Sequence, residues 1–149
     1  MNFLSNAYTS FCGRCVVLGA LLLAGCGSGD PFSYVKVSGK LTYDDGSLIR
    51  HEGVVLTFVP LSEALGANTF PQPGIARPDP ATGEFHEVTS HTYNDGLVRG
   101  KHKVLVADPT HRPLPASVVP PEYADPDKTP LLVDTAEQPF VLKVRKPKG

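Results

Sequence analysis

Three cysteines and five histidines are the side chains of this sequence most able to hold a metal or act as nucleophiles. Cys12 and Cys15 stand as C-x-x-C, a spacing used for metal ligation or disulfide exchange, and Cys26 stands apart. The histidines are His51, His86, His91, His102 and His111. Zinc wants closely spaced pairs with further ligands; His86 and His91 fit that spacing loosely, and no H-E-x-x-H occurs. On a strand, His86 would share a face with Glu84 and His102 with Val104. Solvent-facing or rim histidines are therefore expected, and no metal or other cofactor. Asp44-Asp45-Gly46 and Asp125-Pro126-Asp127 supply oxygens, but calcium takes six or more and a spaced D-x-D-x-D-G loop, so both are expected to be turns. Glu84 and Glu87, taken as a glycosidase pair, would leave a strand on opposite faces. No G-x-S-x-G exposes a serine nucleophile. No catalytic residue is assigned, and the chain is expected not to be an enzyme.

The surroundings of the cysteines decide their chemistry. Residues 1–25 contain no acid and one base, Arg14. Val16 to Ala24 is an uninterrupted run without a polar side chain. Nine residues of helix span about 14 Å, whereas a bilayer core needs roughly 20 residues; the run has the length of a signal-peptide apolar region. It ends in Leu23-Ala24-Gly25-Cys26, which resembles the lipobox of bacterial lipoproteins. The resemblance implies that the Cys26 thiol receives a diacylglyceryl group, that the chain is cut between Gly25 and Cys26, and that the new amino group is often acylated. The small Ala24 and Gly25 would give the peptidase access to the backbone. Cys12 and Cys15 would leave with residues 1–25, and loss of Arg14 would take the formal charge from -1 to -2. The expected location is the bacterial cell envelope, with the protein on the periplasmic or outer side of a membrane and the lipid bilayer as partner through acylated Cys26. A nearly neutral chain has no electrostatic footprint for nucleic acid.

What must follow the anchor is a tether over 26–34 and a domain over 35–146, with a tail at 147–149. Fifteen Pro and 14 Gly leave little room for long helices. The periodicity is two: Val35, Val37, Leu41 and Tyr43 alternate with Lys36, Ser38, Lys40 and Thr42, a strand with one face buried. Val54 to Val59 makes a more deeply buried strand. Asp79-Pro80-Ala81-Thr82-Gly83 joins strands at 74–77 and 84–88 as a hairpin loop. Further strands are expected at 101–106, 131–133 and 140–144. About seven strands in this length make an all-β, single antiparallel β-sandwich. Val37, Leu41, Leu56, Phe58, Phe85, Val104, Leu105, Phe140 and Leu142 are its expected core. The best helical candidate is short, Leu61 to Leu65. Segments 60–73 and 107–130 are long and Pro-rich; the second is expected to cross the sandwich as a strap with Tyr123 packed and its hydroxyl bonded. Lys143, Arg145, Lys146 and Lys148 are expected to form a solvated face and a frayed end rather than a polyanion site.

The order of these motifs carries a second resemblance. Val37-Ser38-Gly39-Lys40-Leu41-Thr42-Tyr43 followed by Val55-Leu56-Thr57-Phe58-Val59-Pro60 is similar to the opening of carboxypeptidase-regulatory-like, transthyretin-like domains. Asp79-Pro80-Ala81-Thr82-Gly83-Glu84-Phe85 is similar to their D-x-x-G-x-F hairpin. Gly96 to Val104 is similar to their G-x-Y-x-V segment, with His102 where an aromatic ring usually sits. Pro121-Glu122-Tyr123-Ala124-Asp125-Pro126 with Thr129-Pro130-Leu131 resembles a subgroup of small bacterial lipoproteins carrying this domain. The resemblance implies a prealbumin-like sandwich without catalytic residues, acting as a binding or structural module toward an envelope protein or glycan. A carbohydrate-binding or glycan-processing accessory role is the alternative. Tyr8, Tyr34, Tyr43, Tyr93 and Tyr123 are scattered along the sequence and form no aromatic cluster there.

Overall fold

The computed structural model describes residues 30–148, so Gly25, Cys26 and the segment before them lie outside the described residues. The described chain is all-β. Its strands are β1 (Tyr34–Val35), β2 (Gly39–Tyr43), β3 (Val55–Pro60), β4 (Gly74–Ala76), β5 (Glu84–Phe85), β6 (Val88–Thr89), β7 (Leu97–Val98), β8 (Lys101–Ala107), β9 (Leu132–Asp134) and β10 (Phe140–Val144). A single 3-10 turn, Pro121–Ala124, is the one helical element among the described residues. The strands form a five-stranded sheet in the order β6-β4-β3-β8-β9, a three-stranded sheet in the order β10-β2-β5, and the pair β1-β7.

β3 is the centre of the larger sheet because its run of apolar residues can be buried from both edges and both faces. Leu56 lies opposite Ala76 on β4 and Val106 on β8, and Phe58 opposite Gly74 and Val104. The pleat then places Leu56, Phe58, Ala76, Val88, Val104 and Val106 on one side, all at most 2% exposed. Leu41, Phe85, Phe140, Leu142 and Val144 of the smaller sheet are equally buried and belong to the same core. The two sheets meet at Phe58, whose ring centroid lies 5.8 Å from Phe85 and 6.0 Å from Phe140. Gly39 makes that meeting possible. A Cβ there would stand 2.6 Å from the Phe140 carbonyl oxygen and 2.7 Å from Phe85 Cζ, so the glycine is required by close approach.

Several expectations are corrected. Pairing is not wholly antiparallel: β10 runs parallel to β2 from Phe140↔Gly39 to Val144↔Tyr43. β9 finishes at the end of the domain where β2 begins, and the turn over 135–139 is too short to carry the chain to the other end. The expected strand at 84–88 is two strands in different sheets, because His86 and Glu87 carry the chain across from one to the other. Leu105 is not in the core; it pairs with Thr57 on the opposite face from Val104 and Val106. Three successive apolar residues, Val104 to Val106, conceal which face is inward. Leu61 to Leu65 is not helical, and the only helical turn among the described residues lies instead in the Pro-rich segment. Pro121 begins it, where a fixed φ and a missing N–H cost nothing.

Segment 107–130 is a packed strap. Leu114, Val119 and Tyr123 are core residues at 4%, 1% and 5% exposure. The Tyr123 hydroxyl accepts the Arg145 backbone N–H at 2.9 Å, just past the end of β10. The Tyr43 hydroxyl donates to the Val118 carbonyl at 2.9 Å. Further along, the Thr129 hydroxyl donates to the Val104 carbonyl and the Val104 N–H to the Leu131 carbonyl. The strap thus bonds to strands of both sheets, and occupies the β8 edge at Val104, just before β9 begins.

Candidate functional site

The side chains with chemical potential are scattered by this fold. His86 and Glu84 are exposed, with 3.7 Å between Nε2 and the carboxylate. Glu87, three residues on, instead accepts a hydrogen bond from the Tyr93 hydroxyl at 2.8 Å, which pushes the Tyr93 phenol above its ordinary range. The two glutamates are therefore not a pair. His91 stacks on Tyr34 with 6.4 Å between ring centroids, and His111 sits in a turn at φ 60°. No three His, Cys, Asp or Glu side chains come together as a metal cluster among the described residues.

The aspartates expected to make turns do so. One Asp45 carboxylate oxygen accepts both the N–H and the hydroxyl of Ser47, and the other accepts Lys146 Nζ at 2.7 Å; together these hold its pKa far below the usual range. Asp44 accepts the Lys146 N–H. Asp125 accepts the Asp127 N–H and the Lys128 ammonium, which also lowers its pKa. These oxygens are committed to backbone and lysine partners.

Two expectations about polar groups need correction. Lys143, Arg145, Lys146 and Lys148 are exposed, as expected of a solvated face, but Arg145 and Lys146 are not frayed: Arg145 pairs with Glu122, and Lys146 binds Asp45 and lies 5.6 Å from the centroid of the Tyr43 ring. The carboxylates that capture them lie on the strap and on the turn after β2, far from them in sequence. His102 is neither at the rim nor in solvent. It is 0% exposed and points inward with Val104 and Val106. Its Nδ1 lies 3.2 Å from the Gly100 carbonyl, which requires a proton on that nitrogen, and its Nε2 is buried with no partner. Burial pushes its pKa down, against the smaller opposing effects of the Gly100 carbonyl and Asp134. Alternation with Val104 was the signal for this placement; residue type argued the other way.

A further feature carried no motif. The loop from β3 to β4 exposes Leu61, Leu65 and Phe70 at 50%, 62% and 60%. No family model, curated protein or solved structure matches the chain.

Proposed function

We propose that this chain is a bacterial envelope lipoprotein, held to a membrane through acylated Cys26, which displays residues 35–146 as a non-enzymatic binding or interaction module of prealbumin-like sandwich fold. The observation that carries the reading is Leu23-Ala24-Gly25-Cys26, which closes the apolar run 16–24, with Cys26 only eight positions before the first strand at Tyr34. Acyl burial contributes about 0.8 kcal/mol per CH₂, and one chain gives only reversible attachment; a diacylglyceryl group on Cys26 meets the requirement for two. The sandwich reading is supported by the single core shared between the two larger sheets and by the ring contacts of Phe58 with Phe85 and Phe140. The module reading is supported by the commitment of Asp44, Asp45 and Asp125 to turns and ion pairs.

The test is expression of the full chain in a Gram-negative host, with detergent-phase partitioning and intact mass. The wild type should enter the detergent phase with the mass of residues 26–149 plus acyl groups. Cys26→Ala should leave a larger, unprocessed product. A wild-type mature protein that is soluble and unacylated overturns the anchor.

A further inference from the structure

We infer that the loop between β3 and β4 is a membrane-contact surface, with Leu61, Leu65 and Phe70 seated in the interfacial layer of the bilayer that holds Cys26. The inference rests on the anchor reading and adds an orientation to it. Of the seven exposed large hydrophobic side chains among the described residues, these three belong to one loop. The Leu65 N–H donates to the Thr69 carbonyl at 2.9 Å, closing a turn that brings Leu65 and Phe70 to the same part of the loop. Buried Pro71 roots that turn in the domain. From Ala64 through Ala76 there is no charged side chain, so no ionised group in that stretch would have to leave water on contact with lipid. Single exposed apolar residues need no explanation, but a group of them on a loop whose one charged side chain is Glu63, outside the 64–76 stretch, marks an interaction surface.

Placement selects the occupant. The loop leaves β3 at Leu61, whose N–H donates to the Lys101 carbonyl. Lys101 opens β8 just after β7, which pairs with β1 through Tyr34↔Val98, and the Arg99 N–H donates to the Ser33 carbonyl. The loop therefore emerges at the end of the domain where the chain departs toward Cys26. Seven residues separate Cys26 from Tyr34, and the eight steps between them reach at most about 28 Å when fully extended. A domain of this length has a diameter of roughly 35 Å. The tether is shorter than the domain it holds, so the end bearing Tyr34 and the loop stays beside the bilayer. Lys36, Arg99 and Lys101 near this end are met by Asp30, Glu63, Asp134 and Glu137, so the end has no basic excess. The attraction is therefore apolar, and zwitterionic lipid suffices.

The chain has no Trp, so Phe70→Trp introduces a single indole, excited at the red edge where the tyrosines do not absorb, at a site already 60% exposed. Glu52→Trp is the control; Glu52 is exposed at the opposite end, before β3, whose first residue pairs with the last of β8. In lipidated protein carried on phosphatidylcholine vesicles, the indole at position 70 should emit at shorter wavelength and be quenched by lipids brominated high on the acyl chain. The indole at position 52 should instead be quenched by aqueous iodide. Adding Leu65→Glu to Phe70→Trp should abolish lipid quenching while the protein still floats with vesicles. Flotation with an indole at position 70 as open to iodide as the control overturns the contact and leaves the anchor intact. Shielding of position 70 that rises with protein concentration without lipid assigns the loop to a second copy and also overturns it. If the protein does not float, the anchor fails by itself. Vesicles added in excess then decide the contact: a blue shift retains it, and an unchanged spectrum removes it.

Discussion

His102 is a neutral imidazole enclosed in the core, and its neutrality has a measurable consequence. An unfolded histidine titrates near pH 6.5, and burial holds the folded value below that. Below about pH 6.5 the unfolded chain therefore binds a proton that the folded chain refuses. Stability from this group is fully present above that pH and falls as pH drops toward the folded value, by at most about 1.4 kcal/mol per pH unit. Thermal melts of the wild type should show a falling Tm from pH 7 to pH 5, a window that lies above the carboxylates. His102→Phe removes the titrating group, leaves no unpartnered Nε2, and should flatten that dependence. An unchanged slope in His102→Phe would place its origin elsewhere. The inward orientation was legible, because His102 shares the parity of Val104. The burial was not, since its neighbours across the sheet, Pro60 and Val133, come from distant parts of the chain.

At the scale of elements, the strap is the part of the fold whose behaviour its own residues most nearly dictate. Consecutive prolines restrict the free chain and lower the entropy lost on ordering, and Tyr123 offers both apolar area and a hydroxyl. Tyr123→Phe removes only the acceptor for the Arg145 N–H and should cost about 1 kcal/mol. Tyr123→Ala also opens a cavity and should cost about 3–5 kcal/mol, as large aromatic truncations do. Limited trypsin digestion gives the local readout at Lys128, since Arg112 precedes Pro113 and is a poor substrate in any conformation. The Lys128 side chain is 69% exposed, but its backbone is held by hydrogen bonds from the Lys128 and Thr129 N–H groups to Asp125 and by the Thr129 hydroxyl on β8. The wild type should resist cutting there and Tyr123→Ala should not. Rapid cleavage of the wild type at Lys128 with the sheets intact would show that the strap is not held.

At the scale of the whole molecule, Phe58 is where the two larger sheets depend on each other. Phe58→Ala should cost about 3–5 kcal/mol against a total of about 5–15 kcal/mol for a domain, enough to raise the unfolded fraction visibly in urea titration. A midpoint that does not move would mean the sheets hold together without it. Strand positions were largely legible because alternation is a local signal, as Val37 and Leu41 show. Partnership was not: nothing in 140–144 announces a parallel neighbour, and nothing in Leu61, Leu65 or Phe70 announces exposure, since loop and core leucines have the same composition. The parallel pairing of β2 with β10 also sets an order of events during biosynthesis. A chain made from its amino end presents β2 early, yet its five-residue partner is synthesised roughly a hundred residues later, and closing so long a loop is intrinsically slow. The smaller sheet stays incomplete until residues 140–144 are available, so a nascent chain that ends before them has no finished fold to resist being unravelled or pulled.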